Sequence, residues 1–409
     1  MPGKHSFVSI VSSIFFLLGI IFIPFPFDLF PFQARVTDFL FGKLIGITAD
    51  GLFGIVLKDT KVYSDSVSMY ILLLLLFFII IFIGLFLRIG RLKMPAERFS
   101  SFVYKIGCYY LALQLLQYGL DKVFKAQFYL PEPNTLYTPL GQVSKDLLFW
   151  SSMGTSYSYT IFTGAAEVVA AVLILFKRTR LLGLLAGGAL LLHITAINFS
   201  FDISVKAYSC FLLLLSIYLL TSFIKRLYRF FFTQESIPAI TTNSNDYPFF
   251  KQPFVSVFFK SLFIGLLAVE ALYPYVRSGN FNDDLEQRPY LHGAYEVNSV
   301  TVGGDTVALV SSPVRRFFIH RNGYMIFQNQ QEEMQDYQLT YDTSHHLLQL
   351  KDYQLQETIL RYNYSPGDSL LSLRYKKNGQ EYELTGRQLN WRELPAIKNE
   401  FHWTVDAPE

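Results

Sequence analysis

The chain is poor in charge. Of its 409 residues, 16% are Asp, Glu, Lys or Arg, whereas 51% are hydrophobic. Soluble domains carry nearer a quarter charged residues, so an ordinary soluble protein is excluded. Cysteine is nearly absent. Cys108 and Cys210 both lie in apolar runs and read as small buried hydrophobes. The C-terminal region has none, which excludes a disulfide framework there. CxxC, CxxCH, HExxH, a Walker loop and a GxGxxG opening a βα unit are all missing, so the sequence offers no site for haem, iron–sulfur, flavin or nucleotide phosphate. No histidine pair at metal spacing lies in the apolar part. His345 and His346 fall on opposite faces of a strand or turn, so no metal site is expected. With a net charge of +3 and no basic run outside helix flanks, nucleic acid is not a partner.

What is present is apolar and arranged in blocks. A membrane helix needs about 20 mostly apolar residues. Seven runs qualify or nearly do: 6–24, 69–88, 100–123, 158–176, 181–200, 205–224 and 254–276. The first ends in Pro and Phe, without a small-residue cleavage site, and reads as a retained helix. The basic clusters are Lys4; Arg88, Arg91, Lys93 and Arg98; Lys177, Arg178 and Arg180; Lys225, Arg226 and Arg229; and Lys251. With seven spans, every cluster falls on one side, which is therefore the cytoplasmic side. This predicts a bacterial inner-membrane protein with its N-terminus in the cytoplasm and its C-terminal domain in the periplasm. The lipid bilayer is its first partner.

The outer loops have their own pattern. Residues 25–65 are amphipathic and aromatic, as in a helix lying on the membrane surface. Residues 139–153 predict a short helix on the outer face, and 233–252 a polar linker on the cytoplasmic side. From about 290 the period changes to two. Runs such as "GAYEVNSVTV", "GYMIFQN" and "LLSLRYKKNG" are separated by turn signals such as "VGGD", "SPGD" and "KNGQ". About eight strands predict a small antiparallel barrel or sandwich, and "LHGAYEV" before a meander looks lipocalin-like. The expected organisation is two N-terminal spans with an amphipathic loop (1–99), a four-helix bundle (100–225), a linker (226–253), a seventh span (254–276) and a β-barrel domain (277–409).

Polar groups within a span are costly and need partners. Gln114, Gln117 and Asp121 share one face of the third span, with Lys122 beside Asp121. Glu167 lies near mid-membrane among Gly164, Ala166, Ala170 and Ala171, small residues that let another helix approach. His193 and Asn198 lie toward the outer end of the fifth span. Asp202 and Lys206 follow at pairing distance. Glu167 and His193 are the candidates for proton handling; the other seven are candidate binding residues. For most of them a purely structural hydrogen-bonding role competes with a functional one.

Three stretches carry a resemblance: "YGLDKVFKAQF" with its Gly and Lys, a G-x-x-E within "TPLGQVSKDLLFWSSMGTSYSYTIFTGAAEVVAAVLILFKRTRLLG", and N-F-x-x-D-x-x-V-K in "NFSFDISVKAYS". Residues 100–225 resemble the DoxX-like membrane family. The whole layout is similar to large members from Bacteroidetes-type bacteria that carry an exported β-domain. The resemblance implies a four-helix core and a link to membrane oxidoreductases, with a lipid-borne quinone as electron acceptor and redox subunits as partners. His193 does not match the family pattern. The expected function is an envelope protein whose bundle anchors a periplasmic barrel that binds a hydrophobic ligand or another envelope protein. A quinone-linked redox subunit and a lipid or solute transporter are the alternatives, and whether the protein is an enzyme stays open.

Overall fold

The computed structural model describes residues 4–25, 27, 29, 31–89, 96–233, 253–377, 379–398 and 400. Residues 234–252, most of the expected linker, and the C-terminal 401–409 lie outside the described residues. The chain divides into two compact units. One comprises 1–127 and 161–281; the other comprises 128–160 and 282–409.

The first unit is helical. It holds α1 (Lys4–Phe22), α2 (Phe32–Phe53), α3 (Val67–Arg88) and α4 (Ala96–Val123). Two short helices of the other unit follow, α5 (Pro133–Leu136) and α6 (Lys145–Thr155). The chain then continues as α7 (Tyr157–Leu175), α8 (Arg180–Ser200), α9 (Lys206–Thr221), α10 (Ile224–Tyr228) and α11 (Pro253–Ser278). Ser66 starts α3 by accepting the Met69 amide, after which no charge interrupts the helix until Arg88. Among the described residues, four segments are long and apolar enough to cross a membrane: Val67–Arg88, Tyr157–Leu175, Arg180–Ser200 and Val257–Leu285. A fifth is formed if Lys206–Thr221 and Ile224–Thr233, bent by 73°, count together. The first apolar run is shorter, Phe7–Phe22. Helix α4, over the expected third span, is long but carries Glu97, Arg98, Lys105, Asp121 and Lys122. The amphipathic stretch 25–65 contains α2, which buries Phe41, Ile45 and Ala49 and exposes Phe39, Leu40, Leu44 and Ile47.

The second unit contains a closed eight-stranded antiparallel barrel. Its strands are β1 (Gly293–Val302), β3 (Arg316–His320), β4 (Tyr324–Gln328), β5 (Met334–Asp342), β6 (Leu347–Lys351), β7 (Glu357–Ser365), β8 (Leu370–Lys377) and β9 (Gln380–Gln388). Consecutive strands pair, and β9 closes on β1 through Tyr295↔Gln388 to Val302↔Tyr382. A short β2 (Asp305–Val307) forms a hairpin with β1 alone. The period-two pattern sends one set of side chains inward. Tyr295, Val297, Phe317, Ile319, Met325, Leu339, Leu348, Leu371 and Leu373 are among the buried residues of one continuous core. The Tyr295 and Phe317 rings stack at 4.9 Å. The interior is thus filled with side chains, as dense protein cores are.

The opposite faces of β1, β3 and β4 are also covered. Ala294, Phe318 and Ile326 are buried, with Tyr137, Met334 and Leu389 packed against them. Gln328 donates a 3.1 Å hydrogen bond to the Tyr137 carbonyl. Residues 128–160, including the helix expected over 139–153, therefore belong with the barrel and line its outer wall.

Candidate functional site

The helical unit's central charge pair is built by matched spacings on two helices. Gly119 and Lys122 are three apart on α4; Gly164 and Glu167 are three apart on α7. That spacing places each glycine on the same face as its charge. The helices touch at the glycines. A Cβ on Gly164 would lie 2.6 Å from the Gly119 carbonyl oxygen, and one on Gly119 would lie 2.8 Å from the Gly164 oxygen. The close approach brings Lys122 Nζ within 2.9 Å of both Glu167 carboxylate oxygens. Both residues are buried, and Lys122 also donates to the Tyr118 carbonyl at 3.3 Å. The ammonium is satisfied locally, as a buried charge must be.

Other expected residues join α4 to α9 and to α11. Gln114 Nε2 donates to Gln117 Oε1 at 2.8 Å, and Gln114 accepts from the Tyr208 hydroxyl. Tyr208 is 2.9 Å from the Tyr110 hydroxyl. Asp121 accepts a hydrogen bond from Tyr275 of α11. Gln114, Gln117, Tyr118 and Asp121 face Ala271, Pro274 and Tyr275 across a cavity of about 90 Å³. At roughly 15 Å³ per water, it has room for a handful of waters.

The third group sits apart in the hydrogen-bond pattern. Asp65, between α2 and α3, accepts the Lys206 and Ala207 amides at 2.8 and 3.0 Å and so caps α9. Lys206 Nζ lies 2.7 Å from Asp202 and 4.0 Å from Asp65. Asp202 adopts a left-handed φ of 56° and turns its carboxylate to the surface. Asn198 is buried nearby in sequence, and its Nδ2 has no hydrogen-bond partner among the described residues. His193 lies on the exposed face of α8 and does not line that cavity. The nine residues singled out from sequence thus fall into a cavity wall (Gln114, Gln117, Asp121), a buried ion pair (Lys122, Glu167), a surface pair at the start of α9 (Asp202, Lys206), the buried Asn198 and the exposed His193.

Two buried carboxylate contacts escaped the sequence reading. Glu270 of α11 accepts the Leu29 amide at 2.9 Å. Its only sequence signal is an acid inside the apolar run "LLAVEALY". The second, Glu132, lies in the barrel unit just before α5. It is 2.8 Å from His292 Nε2 and 3.4 Å from Arg321 Nε. Arg321 also pairs with Asp283, which Arg288 approaches at 3.2 Å, and its guanidinium lies 3.7 Å over the Tyr129 ring. Burial pushes Glu132 upward, but the His292 hydrogen bond and the charges of His292, His320 and Arg321 outweigh it. They hold the carboxyl below its ordinary range. Burial pushes His320 below its ordinary value, with Glu132 opposing. His320 Nδ1 accepts the Asn322 amide at 3.0 Å, so in the neutral ring Nε2 carries the proton.

This network borders a second cavity, of about 440 Å³. Tyr129, Glu132, Asn134, Thr135, Asp146, Trp150, Ser151 and His320 are among its walls. Helix α6 is held against the 129–132 segment by Gly154: a Cβ there would lie 2.2 Å from the Tyr129 carbonyl oxygen. No group of three or more His, Cys, Asp or Glu able to hold a metal occurs among the described residues.

The fold defines a class: an apolar helical unit with internal charge pairs, joined in one chain to a filled eight-stranded barrel. The chain is similar to the uncharacterized protein YwoB of Bacillus subtilis (strain 168), 29% identical over 140 residues, which are 32% of this chain and 81% of that relative. No family model matches, and no solved structure matches.

Proposed function

We propose that the protein is an integral membrane protein of a bacterial envelope, whose helical unit anchors the barrel unit as a binding module. The observation that carries this is the outward-facing apolar surface of the helical unit. Phe77, Phe78, Phe82 and Leu85 of α3 are each more than half exposed, as are Phe162, Leu192 and Phe199 of α7 and α8. Such a surface is stable only under lipid or another apolar cover. The positive-inside pattern supports an inner-membrane location with the N-terminus in the cytoplasm and the barrel in the periplasm. The filled interior favours a ligand or partner protein on the barrel's outer wall over a hydrophobic ligand inside it.

The quinone-linked and transporter readings depend on the α4–α11 cavity. At about 90 Å³ it falls below the roughly 300–1,000 Å³ of small-molecule pockets, which favours water over a quinone head group. The DoxX-like resemblance over 100–225 is kept as part of the proposal. Its support is that the Gly–Lys and Gly–Glu motifs meet face to face at 2.9 Å. Reporter fusions test the anchoring scheme. A periplasm-active reporter should work after Glu409, and a cytoplasm-active one within 234–252. A cytoplasmic signal after Glu409, or release of the protein by alkaline carbonate, would overturn it.

A further inference from the structure

We infer that the 440 Å³ cavity of the barrel unit binds an uncharged, polyhydroxylated ligand: the sugar ring of a glycan or of a glycolipid head group. The inference rests on the reading of this unit as a binding module. The cavity's size lies within the roughly 300–1,000 Å³ of small-molecule sites. The buried carboxylate on its wall is already matched. Glu132 has His292 at 2.8 Å and Arg321 at 3.4 Å, and Asp146 is exposed with the Ser144 hydroxyl at 2.5 Å. A charged ligand would therefore find no buried unpaired counter-charge to reward its desolvation.

What the walls offer instead is neutral hydrogen bonding beside an aromatic surface. Asn134 Oδ1 is buried and accepts no hydrogen bond among the described residues, so it calls for a donor from a ligand or water. His320, neutral with its proton on Nε2, is a donor. Thr135 and Ser151 contribute hydroxyls that both donate and accept. The Trp150 indole gives a flat apolar wall for the C–H face of a pyranose ring, fixed from one side by Phe128 at a 4.9 Å ring distance. One face of Tyr129 is taken by Arg321, which leaves Trp150 as the stacking platform. Alternating hydroxyl and C–H surfaces are what a sugar presents.

The test uses the full chain in phosphatidylcholine nanodiscs. Calorimetric titration is made with N,N′-diacetylchitobiose, with maltose and with tetramethylammonium, and a second set of discs carries a neutral glucosyl lipid. Saturable binding of at least one saccharide, or competition by the glucosyl lipid, is expected. Competition by the lipid identifies a head group as the source; binding of free saccharide without it identifies a glycan. Trp150→Ala should weaken binding about tenfold, the scale of one lost stacking contact, and Asn134→Leu should weaken it too. Arg374→Ala, on β8 and outside the cavity walls, should leave it unchanged. The barrel unit's near-ultraviolet signal checks that each variant stays folded. No saturable saccharide or glucosyl-lipid binding, native-like binding by a folded Asn134→Leu, or preference for tetramethylammonium would overturn the inference. None of these results bears on the reporter topology, so the anchoring scheme stands or falls separately.

Discussion

The two units solve opposite solvation problems with the same chain. In the helical unit, phenylalanines such as Phe77 and Phe82 face outward while Lys122 and Glu167 are buried. In the barrel unit, Tyr295, Phe317 and Leu371 fill the inside, while charges such as Arg374 and Glu383 pair across strands on the outside at 2.9 Å. In the first, the charge sits where packing can satisfy it; in the second, most of it faces the solvent, and the buried Glu132 pairs with His292 and Arg321. Hydrophobic content alone does not locate a core. Where each polar group finds its partner does.

The units can be followed separately. Trp150 and Trp391 report the barrel unit, the helical unit's residues include no tryptophan, and most of the helical circular dichroism belongs to the helical unit. The largest expected effect is Glu167→Ala, which leaves a buried ammonium unpaired and should cost the helical unit about 3–5 kcal/mol. Lys122→Met with Glu167→Leu should recover most of it. Equal losses in the single and double variants would show that the pair does more than neutralise itself. Phe317→Ala is the counterpart in the barrel, with an expected loss of about 3–5 kcal/mol in the tryptophan-detected transition only. Simultaneous loss of both transitions would break the separation between units.

Gly164→Ala comes next. The methyl would meet the Gly119 carbonyl, and backbone cannot yield as a side-chain tip can. About 1–3 kcal/mol of overpacking is expected in denaturant titrations of the helical signal, together with weakening of the Lys122–Glu167 pair. A smaller effect separates the units by pH. Because the folded state depresses His320, its unfolded chain takes up a proton near the ordinary value of 6.5 while the folded chain does not. Stability of the barrel unit therefore falls as pH drops below that value. Glu132, held low, adds a loss only at more acid pH, as its carboxyl titrates in the folded state. The tryptophan-detected melt should decline from about pH 7.5 to about pH 5.5, the range where histidine titrates. His320→Gln should flatten it, and an unchanged slope in that variant would remove His320 as the cause. Asp202→Asn, at an exposed pair, should change stability by no more than about 1 kcal/mol. A larger loss would mean that the Asp65 cap on α9 depends on it.

Much of the architecture was legible in the chain. The change of period near 290 announced the barrel because alternating side chains must face opposite sides of a sheet. The apolar blocks announced the helices, and the i,i+4 spacing announced the Asp202–Lys206 pair. Glu167 was legible as a charge needing a partner. That the partner is Lys122 was less so, since only the repeated spacing of Gly119–Lys122 and Gly164–Glu167 hinted that the two faces match. His193 read as a companion of Glu167 from its depth in the run, but the helix's 100° step per residue turns it outward.

Residues 128–160 show where sequence reasoning stops. Nothing in "PEPNTLYTPLGQVSKDLLFW" indicates that it will lie against strands more than 150 residues later, because that contact depends on Tyr137, Phe318 and Gln328 meeting in space. The cavity beside it is assembled from α5, α6 and the end of β3, and Glu132 becomes a buried acid only because His292 and Arg321 arrive there. Which segments are helix and which are strand follows from the chain's local pattern, since periodicity and apolar length are local properties. The partners of the buried charges, the filling of the barrel and the cavity on its wall were decided by tertiary structure, because each depends on groups distant in the chain approaching within hydrogen-bonding or van der Waals distance.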